Sequence, residues 1–376
     1  MKNLIAGACD RTRQAEAKAK KAVFRVGVIG CGRMASTIED EQIARRKERP
    51  YRGGLVLPYS HAAGYAAVEE TEIVAACDIH SGRLKAFMER WNVPKGYTDY
   101  RELVDVEKPD ILSITTRPQQ HAEQMVYGAN HGVKGMYAEK PLCMSLKETD
   151  AIREAFERNG VHLEYGPIYR HWTAYEQART IAESGELGEV KSVVGFLGKS
   201  LEGHFIDLLL YLLGDPEPVS IQGTLPKLYP ADSDTSGMKF VQDVPILSAL
   251  IKFSNGTTAH VAGVGVDELA NWCELVCSDG VIRVVNDGEA VQVWRRDATS
   301  GALDTVPVEL MEPQSGTMHM IRDLVKAIKM GKPGRSNLRV AMISQEIGFG
   351  IYESHLRGGV AVSPPIENRD RWVSSW

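Results

Sequence analysis

The chain has 376 residues, of which 43% are hydrophobic, and a formal net charge of −5. A chain of this length and composition buries enough apolar surface for two domains. Because charges of both signs are spread along it without a basic stripe, the sequence argues against a nucleic-acid partner.

The cysteines and the N-terminal region bear on the cellular compartment. The six cysteines include no Cys-x-x-Cys pair, and several lie in apolar runs, which is typical of a reducing cytosol. The apolar run at 4–9 is too short for a secretory signal, and Asp10 and Glu16 argue against a transit peptide. We therefore expect a cytoplasmic protein without a membrane partner, and a partly ordered arm at 1–22 outside the core.

The first informative motif follows an apolar run at 23–29 and reads Gly30-x-Gly32-x-x-Ala35. Gly30 permits a tight turn, Gly32 lets the backbone approach a pyrophosphate, and Ala35 packs the helix on the strand. The alternative interpretation is an ordinary turn after a strand. The motif predicts a dinucleotide site whose loop comprises Gly30, Cys31, Gly32, Arg33 and Met34.

Asp78 ends a second apolar run, at 73–77, and its carboxylate could accept hydrogen bonds from ribose hydroxyls. This favours NAD over NADP, although Arg83 leaves NADP open, and a simple turn residue is the alternative. Asp78 lies 43 residues after Ala35, whereas the usual spacing is about 20. The stretch 39–60, with its arginines, prolines and glycines, therefore indicates an inserted helix and loop.

Strands alternate with helical patterns up to about residue 144, which predicts a doubly wound parallel sheet of the Rossmann type over 23–144. Ser145 and Glu148 form a capping box that begins a helix closed by Gly160, and this helix bridges to the second domain. The strands of the first domain are predicted at 23–29, 73–77, 95–97, 111–115 and 133–138.

Residues 145–376 are predicted to form an α+β domain with an open antiparallel β-sheet flanked by helices. Turn motifs such as Ser278-Asp279-Gly280 and Asn286-Asp287-Gly288 separate its apolar runs. Strands are predicted at 161–165, 246–253, 257–266, 272–277, 281–285 and 290–294, and helices at 174–184, 205–213, 318–330 and 338–356.

Lys140 follows the predicted strand at 133–138, within Glu139-Lys140-Pro141. Open α/β sheets bind their ligands at the carboxyl ends of their strands. A lysine there can bind a substrate hydroxyl and take part in proton transfer. The alternative is an ordinary solvated lysine.

Several motifs together resemble the glucose-fructose oxidoreductase and inositol dehydrogenase family, Gfo/Idh/MocA, from about residue 23 to the end. They are, in order, Gly30-x-Gly32-x-x-Ala35, Asp78, Thr115-Thr116 with His121, Glu139-Lys140-Pro141 and Gly203-His204-Phe205-Ile206-Asp207. The resemblance implies a Rossmann domain joined to an open antiparallel sheet domain, NAD or NADP as cofactor, and oxidation or reduction of carbohydrate-like polyols. It also implies that Lys140 and His204 are catalytic, and that the nicotinamide end is lined by Thr115, Thr116, His121, Glu139 and Lys140.

Substrate contacts are expected from two segments. Tyr169, Arg170 and His171 follow the strand at 161–165, and in the family such a segment faces the substrate; the alternative is an aromatic packing corner with a surface arginine. Asp207 shares a helical stripe with His204. It either contacts substrate or orients a neighbour within a buried network. Ser200 stands where many relatives have an aspartate, which departs from the usual polyol dehydrogenase pattern.

The sequence thus predicts an NAD-dependent oxidoreductase that transfers hydride between nicotinamide and a secondary hydroxyl carbon of a sugar, sugar derivative or inositol. Two alternatives stay open: a redox-neutral NAD-dependent glycosidase that works by transient oxidation and elimination, and a non-catalytic dinucleotide-binding regulator. We expect a homodimer or homotetramer formed through the C-terminal sheet. No metal is expected, since no ligand spacing is found.

Overall fold

The computed structural model describes residues 23–48, 56–197, 203–226, 230–231, 240–242, 244–263 and 272–374. The predicted arm at 1–22, part of the 39–60 insertion, and Ser200 lie outside the described residues.

The N-terminal sheet is parallel throughout and has the strand order β3-β2-β1-β4-β5-β6. The chain therefore reverses its direction of winding between β1 and β4, and at such a switch point the carboxyl ends of the strands form a ligand crevice. This confirms the predicted doubly wound sheet. Its strands are β1 (Phe24–Ile29), β2 (Thr71–Cys77), β3 (Lys95–Tyr97), β4 (Ile111–Ile114), β5 (Gly135–Ala138) and β6 (His162–Tyr165).

The connection from β1 to β2 contains more than one helix, in agreement with the predicted insertion. A short π-helical turn at Arg33–Thr37 leads into the helix Ile38–Glu48, and a second helix begins at His61. The helices of this region are α1 (Ile38–Glu48), α2 (His61–Ala67), α3 (Ser81–Trp91), α4 (Tyr100–Glu107), α5 (Pro118–Asn130) and α6 (Leu146–Asn159).

Helix α6 is capped at both ends as its sequence predicts. The hydroxyl of Ser145 accepts a hydrogen bond from the amide of Glu148, and the Glu148 carboxylate accepts one from the amide of Met144 at 2.8 Å. Gly160 ends the helix in the left-handed region, with φ of 65°.

The strand that follows α6 corrects one sequence prediction. Residues 161–165 were predicted to open the second domain, but β6 pairs in parallel with β5 and completes the first sheet. The helix α6 is therefore the crossover between β5 and β6 and does not bridge to the second domain. The division of the whole chain at residue 144 otherwise stays a prediction.

The second sheet has the order β16-β15-β14-β13-β7-β12-β11-β8. Its pairs are antiparallel except for β7 and β12, which run in parallel. The predicted open sheet is confirmed, as a mostly antiparallel one. Its strands are β7 (Val190–Leu197), β8 (Pro218–Thr224), β11 (Ser248–Phe253), β12 (Thr258–Gly263), β13 (Trp272–Cys277), β14 (Gly280–Val285), β15 (Ala290–Arg296) and β16 (Leu303–Val306). A separate small sheet contains β9 (Pro230–Ala231), β10 (Phe240–Gln242) and β17 (Val373–Ser374).

Four further helices flank the sheets: α7 (Thr173–Glu183), α8 (His204–Leu213), α9 (Gly316–Met330) and α10 (Leu338–Leu356). Ser315 and Thr317, at the start of helix α9, donate hydrogen bonds to the carbonyls of Pro58 and Tyr59. These bonds tie helix α9 to the segment that precedes α2. Among the described helices, none combines the length and apolarity needed to cross a membrane.

Candidate active site

The glycine loop after β1 has room for a ligand at one glycine and no room at the other. Gly30 has φ of +91°, and a Cβ there would lie 2.8 Å from the carbonyl carbon of Thr115. A Cβ at Gly32 would meet no atom within 4 Å. The backbone at Gly32 is therefore accessible, while Thr115 holds Gly30 in place through a hydrogen bond to its carbonyl at 2.6 Å.

Asp78 is buried at the end of β2 and fastens this loop. Its carboxylate accepts hydrogen bonds from the amides of Cys31 at 2.9 Å and His80 at 2.8 Å, and Arg83 lies 3.3 Å away. The acid thus lies beside the glycine loop as the motif predicts. Its predicted contact with ribose hydroxyls stays a prediction.

The two residues after Gly32 begin the π-helical turn. The exposed Arg33 guanidinium pairs with Glu41 at 2.8 Å, and that hydrogen bond raises the pKa of Arg33. Met34 is half-buried. Any contribution of Arg33 and Met34 to cofactor binding would therefore come chiefly from backbone amides at the start of the turn.

His121 joins the two loops that follow β4 and β5. One ring nitrogen lies 3.0 Å from the carbonyl of Pro141 and the other 3.1 Å from the carbonyl of Thr116. Thr116 itself donates to Gln124 at 2.8 Å. His121 is fully buried, and burial lowers its pKa. It holds the loops together behind the cleft, so a direct contact with cofactor is not supported.

Lys140 lies at the carboxyl end of β5, where Gly166 allows the neighbouring strand to approach. The amide of Gly166 donates to the carbonyl of Ala138 at 2.8 Å, and a Cβ at Gly166 would lie 3.1 Å from the amide nitrogen of Lys140. The Lys140–Pro141 peptide bond is cis. The Lys140 side chain is half-buried at the crevice.

Glu139 is a buried carboxylate held in its charged form. One oxygen lies 3.2 Å from Nε2 of His61, and the other accepts a hydrogen bond from the Lys140 amide at 3.2 Å. Burial alone would raise its pKa, but the hydrogen bond with His61 and the electrostatic interactions with His61, Lys140 and His204 hold the pKa of Glu139 at about 2.

His204 begins helix α8, after Gly203 at φ of 83°. A Cβ at Gly203 would lie 2.7 Å from the Tyr165 hydroxyl, so both the conformation and the space require glycine. Nδ1 of His204 is buried and has no hydrogen-bond partner among the described residues. Burial and the charge of Lys140, opposed by Glu139, lower the pKa of His204 to about 3.

Tyr169 stacks on the imidazole of His204 with ring centroids 4.9 Å apart. Gly203, the residue before His204, lies against Tyr165, and Gly166, the residue after Tyr165, lies against the backbone of Glu139 and Lys140, so these groups lie in one region. We call these four residues, Glu139, Lys140, Tyr169 and His204, the lysine–histidine site.

Arg170 and Asp207 lie together elsewhere, and both side chains are fully buried. The guanidinium of Arg170 contacts Asp207 at 2.6 and 2.8 Å and Asp215 at 3.2 Å. We call these three residues the arginine cluster. The structure favours the second role considered for Asp207, that of orienting a neighbour within a buried network. It also corrects the predicted substrate contact of Arg170, because its side chain is enclosed by protein.

His171 is buried as well and also departs from its predicted substrate contact. Its Nε2 lies 2.9 Å from the Ser336 hydroxyl and 3.0 Å from a Glu164 carboxylate oxygen. Burial, with the charges of Arg335 and Arg170, holds the pKa of His171 well below its usual range. Of the four predicted substrate residues, Tyr169 alone is placed at the lysine–histidine site.

Sequence reasoning missed the contacts behind Glu139. His61 is completely buried, with Nδ1 2.8 Å from the hydroxyl of Ser113 in β4. The available signal was Ser113 itself, a lone polar residue in the apolar strand Ile-Leu-Ser-Ile. Among the described residues, no group of three or more His, Cys, Asp or Glu side chains is arranged to hold a metal ion.

Comparison with known proteins matches the N-terminal part of the chain to a family model. Residues 24–166 match the model of an oxidoreductase family with an NAD-binding Rossmann fold, GFO_IDH_MocA. An inositol 2-dehydrogenase of Salmonella typhimurium is 32% identical over 130 residues, which cover 34% of this chain and 38% of that protein. The chain therefore matches well under half the length of this relative.

Two solved structures show a similar fold over nearly the whole chain. An NAD-binding oxidoreductase from Klebsiella pneumoniae superposes with a TM-score of 0.72 at 17% identity, covering 92% of this chain and all of the other. A levoglucosan dehydrogenase in complex with NADH and L-sorbose gives a TM-score of 0.69 at 19% identity, covering 91% and 99% of the two chains. At these identities the likeness concerns the fold alone.

Proposed function

We propose that the chain is an NAD-dependent dehydrogenase, because residues 24–166 match the model of an oxidoreductase family with an NAD-binding Rossmann fold. Its substrate is a sugar, sugar derivative or inositol, oxidised or reduced at a secondary hydroxyl carbon. The observation that carries the proposal is the lysine–histidine site itself: a lysine and a neutral histidine at the carboxyl edge of a dinucleotide-binding sheet.

The glycine loop fits the cofactor. Gly32 leaves open space where a pyrophosphate must approach the backbone, and Gly30 is held at a conformation that favours glycine. Asp78, beside Cys31, is the acid at the end of β2. When bound, NAD supplies the hydride acceptor for the substrate carbon.

We assign Lys140 the role of binding the reacting hydroxyl. Its ammonium can donate a hydrogen bond to the hydroxyl oxygen and stabilise negative charge that develops there. The Glu139 carboxylate accepts a hydrogen bond from the Lys140 amide and so holds this residue at the carboxyl end of β5. The residue therefore orients the substrate oxygen and makes the oxygen more acidic.

We assign His204 the role of proton acceptor during oxidation. Burial and the Lys140 charge keep its imidazole neutral at physiological pH. A neutral imidazole with so low a pKa is a weak base, but the hydroxyl proton becomes strongly acidic as hydride leaves its carbon. The low pKa makes protonated His204 a strong acid in the reverse direction.

The substrate class is inferred from the site and from the relatives. Tyr169 offers an aromatic face beside His204, and such faces suit the apolar face of a sugar ring. Each ring carbon of inositol carries a secondary hydroxyl, and an inositol 2-dehydrogenase is among the relatives. We further propose a cytoplasmic homodimer or homotetramer that associates through the C-terminal sheet.

The test incubates purified protein with NAD and a panel of sugars, inositols and glycosides. NADH absorbance and free sugar are followed in the same wells, with Lys140→Met as the control. NADH formed in step with substrate loss, and absent in the variant, is the expected result. Free sugar without NADH would identify a redox-neutral glycosidase instead, and NAD binding without either signal would identify a regulator.

A further inference from the structure

A line of three buried side chains leads from the interior of the first sheet to the lysine–histidine site. The Ser113 hydroxyl lies 2.8 Å from Nδ1 of His61, and Nε2 of His61 lies 3.2 Å from Oε1 of Glu139. Ser113 and His61 are completely buried and Glu139 is nearly so. The line therefore ends at the carboxylate that accepts the Lys140 amide at 3.2 Å.

Hydrogen-bond chemistry gives this line a direction. A carboxylate has no proton to donate, so Nε2 of His61 must carry the hydrogen that Glu139 accepts. Nδ1 of a neutral imidazole is then an acceptor, and the Ser113 hydroxyl can donate to it. The sequence Ser113 to His61 to Glu139 satisfies each group without placing a second charge in the interior.

The imidazole of His61 is held rigidly. It stacks on Tyr137 with ring centroids 3.7 Å apart and an interplanar angle of 14°. Helix α2 is fixed at its start, because Glu39 accepts hydrogen bonds from the amides of Tyr59 and Ser60 at 2.9 and 2.7 Å. The described end of the 39–60 insertion thus fixes the helix that carries His61.

We propose that His61 is a positioning residue: by donating to Glu139 it fixes the carboxylate that accepts the Lys140 amide, and so holds Lys140 where it binds the substrate hydroxyl. The catalytic part of this inference rests on the proposed function. The effect on Lys140 does not, because it is a property of the protein alone.

The test compares the variants His61→Asn and His61→Gln, whose amide side chains differ in length by one methylene. The amide nitrogen of glutamine can occupy the position of Nε2 and donate to Glu139, whereas asparagine reaches only the position of Nδ1. An amine-reactive ester is applied at one fixed, mildly alkaline pH, and labelling of Lys140 is measured by peptide mass spectrometry. Exposed Lys85 in the same molecule is the internal standard.

We expect His61→Asn to raise the labelling of Lys140 relative to Lys85 several-fold, because the Glu139 carboxylate that holds the Lys140 amide loses its donor and no longer fixes the position of Lys140. His61→Gln should stay within about twofold of wild type. Glu139→Gln should give the same labelling ratio as His61→Asn. The double variant His61→Asn/Glu139→Gln should give a ratio no higher than either single variant, since both changes act through the same carboxylate. Equal ratios in the Asn and Gln variants, or an additive double variant, would overturn the proposal.

Turnover provides the second measurement. With a substrate from the panel, His61→Asn should lower kcat about tenfold or more while the NAD dissociation constant is unchanged, and His61→Gln should restore most of it. His131→Asn, at an exposed histidine of the same sheet domain, is the control. If wild type turns over no substrate, the proposed function fails, whereas the labelling ratios still decide the role of His61.

Discussion

Two groups of polar residues that the sequence assigned to one cleft behave differently in the structure. In the arginine cluster, Arg170 is completely buried and its guanidinium pairs with both Asp207 and Asp215. In the lysine–histidine site, Lys140 and His204 are half-buried, and a buried nitrogen of His204 has no partner among the described residues.

This difference indicates that the arginine cluster stabilises the fold, whereas the lysine–histidine site is available for chemistry. Arg170 and Asp207 are enclosed by protein and paired with each other, so they cannot exchange a proton with a substrate, but they fix the elements that carry them. Helix α8 carries both kinds: His204 opens it, and Asp207 lies one turn further on. The arginine cluster therefore anchors the helix whose first residue belongs to the lysine–histidine site.

The largest expected effect comes from Lys140→Met. Loss of the ammonium should lower kcat/KM by about 10³-fold, or about 4 kcal/mol of transition-state stabilisation, with the melting temperature nearly unchanged. Steady-state kinetics and thermal denaturation of the same preparation measure both quantities. A large drop in melting temperature would show that Lys140 belongs with the structural charges instead.

Arg170→Met should give the opposite pattern. It leaves Asp207 buried without its counter-charge, so the free energy of unfolding should fall by about 3–5 kcal/mol. KM and kcat of the protein that stays folded should change little. Chemical denaturation measures the loss, and the double variant Arg170→Met/Asp207→Leu should recover much of it because it removes both charges. A double variant as unstable as the single one would contradict this account.

Most of the fold could be predicted from the sequence. The sequence pattern located β3, β13 and α10 with the bounds that the structure has. The assignment of β6 failed because its apolar run, 161–165, carries no information about which sheet it pairs with. Pairing is decided by contacts distant in the chain, which a local pattern does not contain.

The candidate site could be predicted only in part, because a local motif also says nothing about contacts between distant segments. Motifs named Lys140 and His204, but a motif does not say which side of a turn faces solvent, and so Arg170, His171 and Asp207 were assigned to the cleft although they are buried. His61 and Glu139 are 78 residues apart in sequence, and their contact depends on how α2 packs on β5. Such a contact follows only from the tertiary structure.

The same comparison between structural and functional positions applies to the two glycines of the loop. Gly30→Ala should destabilise the fold by about 2 kcal/mol, because φ is +91° and the new Cβ would meet the Thr115 backbone. Gly32→Ala should fold normally, since its Cβ meets nothing within 4 Å, but should weaken NAD binding by about tenfold, or about 1.4 kcal/mol. Denaturation and calorimetric titration with NAD distinguish them. Unchanged NAD affinity in Gly32→Ala would place the pyrophosphate elsewhere.

A further expected effect is a pH dependence of stability that originates at His204. Its pKa is lowered from 6.5 to about 3 in the folded protein, so below pH 6.5 the unfolded chain binds a proton that the folded chain excludes. Stability should therefore decrease as pH falls from about 6.5 toward 3. His204→Gln should flatten this decrease, whereas His131→Gln, at an exposed position, should not.

Melting temperatures measured between neutral and mildly acidic pH provide the test. Burial is the main cause of the lowered pKa of His204 and the charge of Lys140 the second, so Lys140→Met should reduce the decrease without abolishing it. A His204→Gln variant that loses stability in acid as steeply as wild type would mean that His204 takes up its proton in the folded protein. In that case His204 would be cationic in mildly acidic solution, and its assignment as the proton acceptor for oxidation would no longer hold there.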